Sequence, residues 1–131
     1  MLRKRLLIID DEDDIREVAE ATLELTEDWE VLTASSGARG IEVAQSQKPD
    51  AVLLDVMMPD MDGPATFAAL QHNHATASIP VIFLTAKVQT ADRRRFAELG
   101  IRGVIAKPFD PLTLGEQVRE LAGWEVAVLA Q

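Results

Sequence analysis

Apolar positions along this chain come in short blocks, and four of those blocks end on a polar residue. Leu6-Leu7-Ile8-Ile9 runs into Asp10-Asp11, Val52-Leu53-Leu54 into Asp55, Val81-Ile82-Phe83-Leu84 into Thr85, and Val104-Ile105-Ala106 into Lys107. Uniformly aliphatic runs bounded by Pro, Gly and Asp are the pattern of strands covered on both faces. Helical patterns separate them, so the sheet they predict is parallel. In an open parallel sheet the strand C-termini share one edge, where ligands bind. Three carboxylates, a hydroxyl and an ammonium are therefore expected to converge there.

Between the blocks the period changes from strand to helix. Ile15, Val18, Ala19, Thr22 and Leu23 make an amphipathic stripe that predicts a helix from about Asp14 to Thr26, capped by Asp13 or Asp14. Residues 30–34 are less uniformly apolar, which suits an edge strand. Ser35-Ser36-Gly37 reads as the cap of a second helix with Ile41 and Ala44 inward, and Lys48-Pro49-Asp50 as the turn into the third strand. The segment Met57-Met58-Pro59-Asp60-Met61-Asp62-Gly63-Pro64 is turn chemistry, with Pro64 at the start of a third helix marked by Phe67 and Leu70. A fourth strand over 80–85, a fourth helix over about 90–99 that buries Phe96 and stops at Gly100, a short fifth strand and a last helix opened by Pro111 complete the alternation. The reading places one domain over residues 1–123. The apolar tail 124–131 is open between helix end, surface packing segment and linker.

Composition narrows the classes. With 22 acidic against 13 basic residues the net charge is −9, which disfavours direct contact with nucleic-acid phosphates. Absence of cysteine excludes disulfides and thiolate metal sites and fits the cytoplasm. The apolar runs fall far short of the ~20 residues of a membrane span, and the run after Arg3-Lys4-Arg5 is too short for a signal peptide.

Asp10, Asp11 and Asp55 on neighbouring strand ends would repel one another without a cation. An all-oxygen donor set without His or Cys selects a hard ion, Mg²⁺ or Mn²⁺. Asp60-Met61-Asp62-Gly63 lacks the ligands and terminal Glu of a calcium loop. A carboxylate beside a divalent ion, an ammonium and a hydroxyl is equipped for phosphoryl transfer.

Together, Asp10-Asp11, Asp55 with Met57-Met58-Pro59 and Asp62-Gly63, Thr85-Ala86 and Lys107-Pro108-Phe109 resemble the receiver domain of two-component response regulators, from Leu6 to Leu121. The resemblance implies a CheY-like, flavodoxin-like (βα)5 sandwich with strand order 2-1-3-4-5. It implies that Asp55 takes a phosphoryl group from a histidine kinase or phosphotransfer protein. Asp11, Asp55 and the Met57 carbonyl would bind Mg²⁺ (or Mn²⁺), with Asp10 acting through water. Lys107 would pair with Asp55 and then with the phosphoryl oxygens, while Thr85 Oγ and the Ala86 N–H would receive another side of the group. The Lys107-Pro108 bond would be cis. Such a protein is a phosphoacceptor switch rather than a turnover enzyme. Its output would reach a separate partner or domain through the face of the fourth helix, fifth strand and fifth helix, with room for a homodimer.

Each residue also has a plainer reading: Asp after a strand as a turn residue, Thr85 as a strand former, Lys107 as a surface cation. Only their shared edge argues for more. His72 and His74 read as solvent-exposed, and Arg93-Arg94-Arg95 as a solvated helix face. Met57 and Lys87 flank the site and would tune phosphoryl lifetime. Val104 stands where the family usually has an aromatic residue, so coupling is expected to run through Thr85, the following loop and the fourth helix. Three other functions compete. An aspartyl-phosphate phosphohydrolase needs a carboxylate where Met57 stands, and a flavodoxin-like cofactor binder needs a hydroxyl- and glycine-rich phosphate loop after the first strand, where Asp10-Asp11-Glu12 would repel a phosphate. A receiver-like interaction module that is never phosphorylated is opposed by the intact site alone.

Overall fold

The computed structural model describes residues 3–86 and 89–124. Five parallel strands, β1 (Arg5–Ile9), β2 (Glu30–Ala34), β3 (Ala51–Asp55), β4 (Val81–Thr85) and β5 (Gly103–Ala106), form one sheet in the order β2-β1-β3-β4-β5. The helices are α1 (Asp13–Glu27), α2 (Gly37–Gln47), α3 (Gly63–Gln71), α4 (Thr90–Leu99) and α5 (Leu114–Ala122). This is the doubly wound fold the hydrophobic blocks predict, with β2 at an edge. Pro80 stays just outside β4: having no N–H it cannot donate to the ladder, but its carbonyl accepts from Val52 N at 2.9 Å.

Alternate residues of each strand serve opposite cores. Leu6, Ile8, Leu53, Ile82, Leu84 and Ile105 pack with Ala19, Leu23, Leu114 and Val118 from α1 and α5. Leu7, Ile9, Val52, Leu54 and Phe83 pack with Ala44, Phe67, Leu70 and Phe96 from α2, α3 and α4. Each fully buried Leu, Ile or Phe contributes about 1.5–3 kcal/mol relative to exposure, and burial continues to the last residue of β1, β3 and β4. Phe83 locks α3 and α4 to the sheet through edge-on contacts with Phe67 at 6.3 Å and Phe96 at 5.0 Å between ring centres.

Several local expectations are corrected. The N-cap of α1 is Glu12, without a side-chain capping bond; Asp13 and Asp14 lie in the first turn, where their charge favours the helix N-terminus. Val18 is exposed, and Ile15, Ala19 and Leu23, spaced by four, form the line that meets the sheet. Pro111 does not open α5, which starts after Thr113. By contrast, Ser36 and Asp62 cap α2 and α3 through their side chains, and Gly100, at φ 95°, ends α4.

The polypeptide leaves α5 through Gly123, and Trp124 N donates to Arg119 O at 2.8 Å. Its ring stands edge-on to Trp29, 5.0 Å between centres. Trp124 is thus packed on the core, and the rest of the tail, 125–131, lies outside the described residues, as do Lys87 and Val88. No helix among the described residues is long and apolar enough to cross a membrane.

Candidate functional site

Register fixes which side chains meet. Ile9 pairs with Leu54, Asp55 with Leu84, and Thr85 with Ala106. Asp10 and Asp55 therefore leave adjacent strands at one level, with Thr85 one residue and Lys107 two residues further along at the ends of the next two strands. Asp10, Asp55 and Thr85 are buried, at 0%, 3% and 1% exposure, whereas Asp11 is exposed. The bond between Lys107 and Pro108 is cis.

Lys107 organises the site. Its Nζ lies 2.9 Å from Asp10 Oδ2, 3.1 Å from Glu12 Oε1 and 3.3 Å from Asp55 Oδ1. Asp10 Oδ1 accepts from Glu12 N at 2.8 Å, and Arg16 donates to the Asp10 carbonyl at 2.7 Å, so Asp10 is fixed by the start of α1. Among the described residues, Asp55 Oδ1 accepts a long bond from Met57 N, 3.4 Å, besides its contact with the lysine. Asp55 Oδ2 is buried with no hydrogen-bond partner among the described residues.

The electrostatics follow from this placement. Burial, reinforced by the charge on Asp10, pushes the Asp55 carboxyl up to about 6 despite Lys107 and the Met57 N–H, which pull it down. For Lys107 burial works toward a lower pKa, but the hydrogen bond and charge of Asp10, then the charge of Asp55 and the bond to Glu12, hold it above the ordinary lysine value. The ammonium is permanently charged at neutral pH.

Asp10, Asp11, Glu12 and Asp55 can each present a carboxylate oxygen within 4.8 Å of one another. One ammonium facing this many acids leaves excess negative charge, and Asp55 Oδ2 has no donor among the described residues. An all-oxygen set of this kind fits a hard divalent cation.

The structure brings together Asp10, Asp55 and Lys107 by direct contact and sets Asp11 within reach. Thr85 and Ala86 follow from the end of β4, with Ala86 exposed, and Met57 follows Asp55 with a half-exposed side chain. His72 and His74 are exposed, and His72 Nδ1 lies 2.9 Å from the Ala68 carbonyl. Glu12 is a site residue to which the sequence reading gave no role beside Lys107.

A family model described as the response regulator receiver domain matches residues 6–119. The chain is similar to response regulator Rre1 of Synechocystis sp., 37% identical over 116 residues covering 88% of this chain and 50% of the relative. It is also similar to the alkaline phosphatase synthesis transcriptional regulatory protein PhoP of Bacillus subtilis, 32% identical over 120 residues, 92% of this chain and 49% of the relative. The chain thus spans about half the length of these curated relatives. Among solved structures, the chemotaxis protein CheY4 of Vibrio cholerae superposes with a TM-score of 0.85 at 28% identity, covering 92% of this chain and 99% of that one. The N-terminal domain of a response regulator receiver protein from Methanoculleus marisnigri gives 0.74 at 34% identity, with 88% and 94% covered.

Proposed function

Because this chain belongs to the response regulator receiver family, we propose that it is a phosphoacceptor switch whose acceptor is Asp55. The observation that carries the reading is Asp55 Oδ2, a buried carboxylate oxygen without a hydrogen-bond partner among the described residues, at the end of β3 beside the Lys107 ammonium. A hydrogen-bonded carboxylate oxygen would be a poor nucleophile; a bare one is available for attack.

In the proposed reaction an Asp55 oxygen attacks the phosphorus of a phosphohistidine on a histidine kinase or phosphotransfer protein. A P–O bond forms, the P–N bond breaks, and the imidazole leaves with the electron pair. Asp11, Asp55 and the Met57 carbonyl would hold Mg²⁺, with Asp10 behind a water, and the ion would supply charge neutralisation to the transferring group. Lys107 moves from carboxylate to phosphoryl oxygen. Thr85 Oγ and the Ala86 N–H donate to a second oxygen, and exposed Ala86 leaves the approach open.

Receiver domains act as signalling modules rather than turnover enzymes, so the product here is a conformational state. Val104 is half-buried against the α4-side core, and its β-branched side chain has too stiff a χ1 and too little volume for an inward and outward swing. Coupling is proposed to pass through Thr85 and α4, whose Arg93 to Arg95 face moves as a unit toward a partner or second domain. The net charge of −9 supports an output made through protein contact rather than direct nucleic-acid binding.

The test is intact-mass measurement after incubation with acetyl phosphate, with and without Mg²⁺. One added phosphoryl group that requires Mg²⁺ and is absent in Asp55→Asn supports the proposal; equal labelling of that variant refutes it.

A further inference from the structure

Glu12 caps α1 with extended backbone, φ −89° and ψ 117°, yet its side chain makes no capping bond. The carboxylate turns instead across the strand ends, where Lys107 Nζ donates to its Oε1 at 3.1 Å. Three N–H groups of one ammonium therefore face three acids. Their situations differ: the Asp10 and Asp55 side chains are 0% and 3% exposed, while that of Glu12 is 59% exposed. Asp10 cannot release the lysine without stranding a buried charge. Glu12 can, because water replaces the lost partner.

Lys107 itself is nearly covered, at 13% exposure, so its ammonium has a small choice of positions. A phosphoryl group on Asp55 would present more charge and more acceptor oxygens than the carboxylate does, and drawing the ammonium toward it loosens its hold on the other acids. Of these, Glu12 is the one whose carboxylate is exposed to water.

We infer that Glu12 is a positioning residue that shares the Lys107 ammonium in the unphosphorylated protein and must give it up when Asp55 is phosphorylated. Glu12 thereby biases the domain toward its unphosphorylated state, since only that state keeps the contact. The inference rests on Asp55 as the phosphoacceptor.

Binding of beryllofluoride, which stands in for the phosphoryl group on Asp55, tests it by titration calorimetry in saturating MgCl₂. The proteins compared are wild type, Glu12→Gln and Glu12→Asp, and MgCl₂ affinity is measured separately. Glu12→Gln should bind beryllofluoride about two- to fivefold more tightly, the range of a partly exposed ion pair. Glu12→Asp, with the charge kept but the side chain one methylene shorter, should move in the same direction as Glu12→Gln. Equal or weaker beryllofluoride binding by Glu12→Gln overturns the inference alone. So does wild-type behaviour of Glu12→Asp, which would reduce the effect to net charge, and so does a large loss of Mg²⁺ affinity, which would make Glu12 a metal ligand. A wild type that binds no beryllofluoride in saturating Mg²⁺ overturns both this inference and the phosphoacceptor reading.

Discussion

Lys107 Nζ sits 2.9 Å from Asp10 Oδ2, closer than the 3.3 Å that separates it from Asp55 Oδ1. The resting ammonium is therefore bound at least as firmly to an acid that does not react as to the one that does. Its removal strands two buried carboxylates. Lys107→Ala should lose about 3 kcal/mol of stability in EDTA, the scale for an unpaired buried charge. Added Mg²⁺ should recover part of that loss, because it supplies the missing positive charge. Urea unfolding with and without Mg²⁺ checks this, and a variant as stable as wild type in EDTA would show that the ammonium does not hold the carboxylates.

The Asp55 carboxyl gives the metal-free fold a pH dependence of unusual sign. Its pKa is raised from 3.8 to about 6, so the folded chain holds that proton more tightly than the unfolded chain does. The stabilisation this gives is complete below the unfolded value, is lost as pH rises through the window from 3.8 to about 6, and stays lost above it. Asp55→Asn removes the titration. In EDTA the variant should gain on wild type from near zero around pH 4 to about 3 kcal/mol at pH 7, from about two pKa units. Denaturant titrations at the two pH values measure the gap; a gap independent of pH would contradict the assignment.

Divalent cation should reverse that penalty. At a hundredfold excess over its dissociation constant, Mg²⁺ should stabilise the native state by about 2.7 kcal/mol. Asp11→Ala should abolish most of the effect while leaving the metal-free stability nearly unchanged, because the Asp11 side chain is exposed. Thermal melts in EDTA and in MgCl₂ make the comparison, and equal Mg²⁺ stabilisation of the variant would remove Asp11 from the ligand set.

How far the sequence reads through depends on the range of the interaction. Strand ends at Asp55, Thr85 and Ala106 are legible because unbroken aliphatic runs must be covered on both faces, and the parallel order then brings Asp10, Asp55 and Lys107 to one edge. Helix faces are legible less finely. The stripe through Val18 satisfies a helical period, but α1 meets the sheet along a narrower line, Ile15, Ala19 and Leu23, whose width is set by how the helix lies on its neighbours. Glu12 was hidden for a third reason: its partner Lys107 is 95 residues away, and no local pattern encodes which of three consecutive acids reaches across the edge. Pro111 fits a helix start by local rules, yet residues 111–113 form turns, with the Asp110 carbonyl taking the N–H groups of Thr113 and Leu114 at 3.1 and 3.0 Å, and α5 begins at Leu114.

Gly63 shows how tightly the loop after Asp55 is held. Its N–H donates to the Val56 carbonyl at 2.8 Å, and a Cβ there would stand 2.8 Å from both Asp55 O and Val56 Cα. These are backbone atoms and cannot swing aside. Gly63→Ala should cost about 1–3 kcal/mol through overpacking and should also weaken Mg²⁺ binding, because the displaced backbone carries Asp55 and Met57. Melting temperature and Mg²⁺ titration report the two effects; a variant native in both would show that the close approach is dispensable.

The central claim is that one particular carboxylate takes the phosphoryl group, and chemical trapping reads that directly. Acetyl phosphate and Mg²⁺ generate the acyl phosphate, and borohydride reduces it to the alcohol, converting the labelled aspartate to homoserine in a sequenced peptide. The account predicts homoserine at position 55 and unmodified aspartate at positions 10 and 11. Homoserine at either of those positions, or none at 55 in a protein that has gained a phosphoryl group, would contradict it.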